Sequence, residues 1–146
     1  MKVIETQNLT KSYGKARGII DMNLAVESGD IFGFIGPNGA GKSTTIRTLL
    51  GLIAPTSGNA RIFGKDISAN PVEILSNIGY MPSESMFYHG MRVNEILNMS
   101  AALHGKNCRE ESHYLCERFK LDTKKKVDEL SLGNRKKVSI VCAFMH

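Results

Sequence analysis

The chain has 146 residues, 42% of them hydrophobic and 23% charged, which is the composition of one globular domain and excludes a disordered segment. Its net charge of +5 suits an anionic ligand, but nucleic acid or an anionic membrane surface would explain it equally well. The 3 cysteines, Cys108, Cys116 and Cys142, show no CxxC spacing, so we expect reduced thiols rather than disulfides or a zinc site. No apolar run reaches the roughly 20 residues of a membrane span, so membrane association is expected to need a partner.

The first half of the sequence predicts alternating strands and helices. Residues 2–5 favour a short strand, and apolar residues at every second position over 20–27 indicate a half-buried strand. The uninterrupted apolar run 31–35 predicts a strand covered on both faces of a parallel sheet. Helical spacing begins after Gly41, and Gly51 is placed to end that helix.

The remaining elements change character near Ser83. Before it, the sequence predicts a strand over 60–63, a helix over 70–77 that begins with Asn-Pro, and a strand over 78–81. After it, apolar residues recur at helical spacing in three stretches, 93–105, 112–119 and 138–145. We therefore expect two parts, residues 1–82 and residues 83–146.

Residues 36–43 read Gly-Pro-Asn-Gly-Ala-Gly-Lys-Ser and fit GxxxxGK[ST], the P-loop pattern. Its glycines let main-chain N–H groups turn towards phosphates, and the following helix offers its positive end. A glycine-rich turn without a ligand is the alternative, but the predicted strand before the loop and helix after it favour a phosphate site. We expect Lys42 to reach the β- and γ-phosphates as the catalytic lysine and the Ser43 hydroxyl to bind magnesium. The expected nucleotide-binding residues are Gly36, Asn38, Gly39, Ala40, Gly41, Lys42, Ser43 and Thr44.

Three further stretches carry a family resemblance. Residues 8–14, Asn-Leu-Thr-Lys-Ser-Tyr-Gly, precede the P-loop, and residues 130–134, Leu-Ser-Leu-Gly-Asn, follow it just before a helix. With residues 55–67 and 78–82, they resemble the segments of ATP-binding cassette (ABC) transporter ATPases, so that the resemblance covers essentially the whole chain. The sequence of residues 33–58 is most similar to the corresponding sequences of ATPases of bacterial drug and antibiotic exporters.

The resemblance implies an α/β fold: a P-loop NTPase core of the ABC ATPase type, with an antiparallel β N-terminal subdomain and a helical subdomain. It implies that Tyr13 stacks on adenine, and that a signature consisting of Leu130, Ser131, Gly133 and Asn134 faces the γ-phosphate held by a second cassette. The implied cofactors are ATP and magnesium. The implied partners are a membrane-spanning permease and a second cassette, in a homodimer or heterodimer, without nucleic acid. The implied location is cytoplasmic, at the inner face of the cell membrane.

The sequence departs from the family pattern at three places. Ser83 and Glu84 stand where many members have a glutamine that touches magnesium and the attacking water, so they are weaker catalytic candidates. Leu132 replaces a signature glycine and Asn134 a glutamine, and the leucine side chain could crowd a partner's phosphate. No apolar strand ending in the Walker B aspartate is found before His146. We therefore expect the C-terminal Walker B half to be absent and the central sheet incomplete, with the chain rearranged, self-associated or part of a longer one.

These observations lead to three functional hypotheses. The first is the ATP-binding subunit of an ABC transporter, an ATPase as a family, although we expect negligible turnover from this chain alone. The second is a nucleotide-binding module that does not hydrolyse ATP. The third, a P-loop small-molecule kinase, leaves Tyr13 and the signature unexplained.

Overall fold

The structure is a computed structural model that describes residues 1–84 and 87–146, with the main chain alone for residues 16 and 17. It contains two compact units, Met1–Ser76 and Asn77–His146. The sequence-based division after residue 82 lies a few residues further along the chain.

The first unit is built on a sheet of 4 strands in the order β2-β1-β3-β4. The strands are β1 Lys2–Tyr13, β2 Ala16–Glu27, β3 Ser57–Ile62 and β4 Lys65–Asp66. Every pairing is antiparallel, as the family resemblance implies. The first two strands form a long hairpin whose register shifts at several points. Shifts of this kind bend a hairpin and increase its twist, because one strand carries an extra residue at each of them.

Two helices belong to the first unit, α1 Lys42–Leu49 and α2 Pro71–Leu75. Helix α1 ends at Leu49, and Gly51 two residues later terminates it, as predicted, because a glycine adopts the left-handed conformation, here with φ 69°, at little cost. The Gly51 N–H donates to the Thr48 carbonyl at 3.0 Å and the Leu52 N–H to the Arg47 carbonyl at 2.9 Å, which is a Schellman cap. The buried apolar residues of this unit are Leu9, Ile19, Val26, Leu49, Leu50, Ala60, Ile62, Ile67 and Ile74.

The strands predicted over 31–35 and 78–81 are wrong, since the structure assigns no strand to either stretch. In the first stretch, Ile31 and Ile35 are fully exposed, at 103% and 94%, instead of being covered on both faces. A buried parallel strand exists only when neighbouring strands bond to both of its edges. Within the described residues, neither stretch has a strand beside it. The expectation of an incomplete central sheet is therefore confirmed.

The second unit is helical, as predicted. It consists of α3 Val93–His104, α4 Arg109–Arg118, a 3-10 turn at Val127–Glu129 and α5 Leu132–Phe144. The periodic apolar residues of the three helices meet in one core, which consists of Val93, Ile96, Leu97, Cys108, Cys116, Leu121, Val127, Leu130, Val138, Val141 and Met145. Burial raises the pKa of the Cys116 and Cys142 thiols above the ordinary value, so both stay protonated at neutral pH.

Candidate functional site

The P-loop lies in the first unit, between the extended segment 31–35 and helix α1. It turns through a hydrogen bond from the Ala40 N–H to the Pro37 carbonyl at 3.2 Å. Gly39 and Gly41 have φ values of 82° and 89°, in the left-handed region that side-chain-bearing residues rarely adopt. The loop encloses a depression of about 240 Å³ whose lining is Asn38, Gly39, Gly41, Lys42, Ser43 and Thr44. Six of the eight predicted nucleotide-binding residues thus surround one small concave space.

Strand β2 supports the loop at Gly41. A Cβ at this position would lie 2.7 Å from Ile19 Cγ2 and 2.8 Å from the Gly18 carbonyl oxygen, so only glycine fits against the strand. Thr45, 1% exposed, anchors the same point by donating its hydroxyl to the Gly41 carbonyl at 3.0 Å. Packing against β2 and the Thr45 hydrogen bond therefore fix the main chain at the start of α1 without a ligand.

The electrostatics of the loop favour an anion. Helix α1 begins at Lys42 with Gly41 as N-cap, without a side-chain cap and without an acidic residue in its first turn. Its positive end, equivalent to roughly +0.5 charge, is therefore not neutralised by the protein. The Lys42 ammonium lies inside the loop and donates to the carbonyl oxygens of Gly36 and Pro37, the latter at 2.8 Å. An ammonium has three N–H donors, so one remains available here for a ligand.

Tyr13 lies at the end of β1 in the same unit and is 45% exposed. The Lys11 ammonium is 5.3 Å from the centroid of its ring, within the range of a cation–π contact. Lys11 faces Ile19 across the hairpin, and Ile19 is the residue that lies against Gly41. Strand β2 thus contacts both β1, which carries Tyr13, and the P-loop. Sequence analysis missed this link because register shifts in a hairpin leave no periodic signal.

The signature stretch begins helix α5 in the second unit. Ser131 is the N-cap and its hydroxyl accepts the Asn134 N–H at 3.4 Å, while Leu130 is buried in the helical core. Gly133 has open space on the side where a Cβ would stand. Leu132, the departure from the family pattern, is 74% exposed. The main chain at Gly133 is therefore accessible, with one leucine side chain in the solvent beside it.

Three basic residues, Arg135, Lys136 and Lys137, follow the signature, and contacts within the second unit engage all of them. Arg135 donates to two carbonyls of the preceding 3-10 turn at 3.2 Å each. Lys137 donates to the Phe119 carbonyl at 3.1 Å, and Lys136 donates to the Ser83 carbonyl. These cations hold the signature segment against its own unit, so the run is not a free basic surface.

Ser83 and Glu84, the two weaker catalytic candidates, are both exposed residues of the second unit. The structure joins Ser83 to α5 through the Lys136 contact. Asp66, the second residue of β4, accepts the N–H groups of Ser68 and Ala69 at 2.8 and 3.2 Å. It closes a turn and so has a local structural role.

No group of three or more histidine, cysteine, aspartate or glutamate side chains is placed to hold a metal ion in residues 1–84 and 87–146. The Ser43 hydroxyl in the P-loop depression is the donor that suits magnesium there. Magnesium commonly takes one or two protein ligands and completes its shell with phosphate oxygens and water, so one hydroxyl fits this mode. Across the same described ranges, none of the helices has the length and hydropathy needed to cross a membrane.

Comparison with known proteins places these features in one family. A family model described as ABC transporter matches residues 19–146. The bacitracin transport ATP-binding protein BcrA of Bacillus licheniformis is 42% identical over an alignment of 147 positions. The alignment covers 99% of this chain and 48% of that protein. BcrA of Enterococcus faecalis is 35% identical over 146 residues, 99% of this chain and 47% of that protein. A solved ATP-binding subunit of an ABC transporter superposes with a TM-score of 0.87 at 30% identity, covering 98% of this chain and 62% of that structure.

The chain belongs to the family of ABC transporter ATP-binding proteins. It spans about half the length of the two BcrA proteins, at 48% and 47%. The α/β fold with an antiparallel N-terminal part and a helical part, expected from the resemblance, is confirmed by the superposition and by the strand pairings.

Proposed function

We propose that this chain binds ATP with magnesium at residues 36–43 as the ATP-binding part of an ABC transporter. The observation that carries the proposal is the P-loop depression, where an uncapped helix start and the Lys42 ammonium border the same concave space. Main-chain N–H groups at a helix start and a lysine ammonium are the donors that bind phosphate chains in P-loop proteins.

Each predicted residue has a role in this proposal. The main chain of Gly36, Gly39, Ala40 and Gly41 wraps around the phosphates, and Asn38 lines the loop. Lys42 exchanges its contacts with the loop carbonyls for the β- and γ-phosphate oxygens, while Ser43 holds magnesium and Thr44 lies beside it at the helix start. The adenine stacks on the face of Tyr13 that Lys11 leaves free, which adds about 0.5–1.5 kcal/mol beyond burial.

The partners of the proposed subunit follow from the family. A second cassette, identical or not, would bring its phosphates to the start of α5, where Ser131 and the accessible main chain of Gly133 provide donors. A membrane-spanning permease would hold the pair at the cytoplasmic face of the membrane, and no nucleic acid is involved. The similarity to BcrA supports an exporter of drug or antibiotic molecules as the transporter type.

The second candidate function is nucleotide binding without hydrolysis by this chain alone. None of the residues that line the described P-loop depression is acidic. Phosphoryl transfer to water in P-loop proteins needs a carboxylate to hold magnesium and a group to position the water. Ser83 or Glu84 would supply such a group only if the second unit brings it to the phosphates.

A titration with ATP and magnesium tests the proposal. Lys42→Ala removes a charged donor to the phosphates, worth about 1.5–3 kcal/mol, so we expect ATP affinity to fall about tenfold to hundredfold. The matched control is Lys65→Ala, since Lys65 lies in the same unit but pairs with Glu73 outside the loop. Calorimetry that finds no ATP binding by the folded wild-type chain, or equal losses in both variants, would contradict the proposal. A phosphate-release assay on the same samples separates the two candidate functions, and we expect negligible turnover.

A further inference from the structure

Helices α3 and α4 of the second unit border a polar groove that neither the phosphate loop nor the signature uses. Its main cavity measures about 700 Å³. Asn94 and Asn98 on α3 face Arg109 and His113 on α4, above a floor that includes the buried residues Leu97 and Cys116. A second depression of about 450 Å³ shares Asn98 and Arg109 with the first and extends the groove to Lys106. We call these two continuous depressions the α3–α4 groove.

The walls of the α3–α4 groove have unused hydrogen-bonding capacity. In the part of the chain that the structure describes, the side chains of Asn94, Asn98 and Arg109 are exposed and have no hydrogen bond or ion pair. Each carboxamide offers both a donor and an acceptor, and the guanidinium offers five donors. A cleft that combines an apolar floor with polar side chains available to a ligand is a candidate binding site.

The spacing of the two asparagines suits an extended peptide. They stand four residues apart on one helix face, which corresponds to a rise of about 6 Å along α3. Alternate residues of an extended chain repeat at about 6.6–6.8 Å. Successive main-chain N–H and C=O groups of such a peptide can therefore meet Asn94 and Asn98 in turn.

The positive charge of Arg109 in the α3–α4 groove favours a peptide with acidic side chains. Arg109 lines both depressions and Lys106 lines one end, while Glu110 is the acidic residue among the described lining residues. At the other end, the His113 ring lies 3.7 Å from the Glu117 carboxylate, so Arg109 is the cation that the proposal uses. A carboxylate can accept two parallel N–H bonds from an arginine, which favours acidic side chains at that point. We propose that the α3–α4 groove binds an extended acidic peptide segment of a partner protein. This inference is independent of the proposed nucleotide site.

The test uses the full isotope-labelled chain and an end-blocked hexapeptide in which glutamate and alanine alternate. The peptide is expected to shift the side-chain amide signals of Asn94 and Asn98 in nuclear magnetic resonance spectra and to saturate. The glutamine–alanine peptide should bind at least threefold more weakly, and free glutamate or inorganic phosphate should give no saturable shift. Shifts of equal size with free glutamate or phosphate would mean a small-anion site, and no shift at either asparagine would mean no site. Either result overturns the proposal.

Two pairs of variants locate the contacts. The double variant Asn94→Ala, Asn98→Ala is expected to lower the affinity for the glutamate–alanine peptide at least fivefold. Arg109→Gln is expected to lower that affinity at least threefold and to reduce the preference for the glutamate peptide over the glutamine peptide. Arg118→Gln is the matched control, because Arg118 lies on the same helix outside the groove lining. Equal losses in Arg109→Gln and Arg118→Gln would show a non-specific charge effect and contradict the groove. A parallel ATP titration reports on the nucleotide site, so failure of one proposal is distinguishable from failure of the other.

Discussion

The P-loop and the signature segment both present main-chain N–H groups at the start of a helix, but they are built in opposite ways. The P-loop is shaped by the main chain itself, with left-handed glycines, a Gly41 that only just fits against β2, and a lysine folded onto loop carbonyls. The signature is shaped by side chains: the Ser131 cap, the buried Leu130 and the basic side chains of residues 135–137, which donate hydrogen bonds to main-chain carbonyls. We therefore expect a glycine-to-alanine substitution to destabilise the P-loop, whereas truncation of a buried side chain should destabilise the signature segment.

The largest expected effect separates two neighbouring leucines of the signature. Leu130 is 6% exposed and Leu132 is 74% exposed. Leu130→Ala leaves a cavity in the helical core and should lower the free energy of unfolding by about 2–5 kcal/mol. Leu132→Ala removes a solvent-exposed side chain and should stay within about 0.5 kcal/mol of the wild type. Urea unfolding of the two variants measures both values, and a similar loss in each would mean that Leu130 does not anchor the segment.

The next effect compares two glycines that receive the same extra carbon. Gly41→Ala combines left-handed strain of about 1–2 kcal/mol with overpacking against Ile19 of about 1–3 kcal/mol. We expect it to destabilise the first unit by about 2–5 kcal/mol and to abolish ATP binding. Gly133→Ala has open space at the start of α5 and should be neutral or stabilising by up to about 1 kcal/mol. If thermal unfolding and ATP titration cannot distinguish the two variants, the main-chain account of the P-loop is wrong.

The same contrast explains how much the sequence could predict. The three helices of the second unit were predicted because each one carries its own apolar period, and α1 because Gly41 and Gly51 mark its ends. The strand over 31–35 was wrong because a strand depends on neighbours that no local pattern contains. The Gly41–Ile19 contact and the α3–α4 groove were missed for a related reason, since residues far apart in sequence form them. The P-loop residues could be named in advance because eight consecutive positions carry the motif, but their support from β2 could not.

The smallest effect is a difference in sensitivity to acid. The lining of the P-loop depression contains no carboxylate among the described residues, whereas Asp128, just before the signature, ties the 3-10 turn to residues 89 and 90. Its carboxylate accepts the Gly90 N–H at 2.6 Å and contacts His89 Nδ1 at 2.9 Å. The Gly90 N–H first, and then His89, lower the pKa of Asp128 below its ordinary value of 3.8.

Because the pKa of Asp128 is lower in the folded chain, the native state binds its proton less tightly than the unfolded state does. The stability that this carboxylate contributes is therefore fully present above its ordinary pKa and is lost as pH falls from 3.8 through the lower folded value. Asp128→Asn should make the loss of thermal stability below about pH 4 less steep than in the wild type. Melting temperatures between pH 3 and pH 7 measure the slopes. An unchanged slope in Asp128→Asn would mean that main-chain contacts alone, as in the P-loop, hold the signature turn, and the contrast between the two sites would be smaller than the structure indicates.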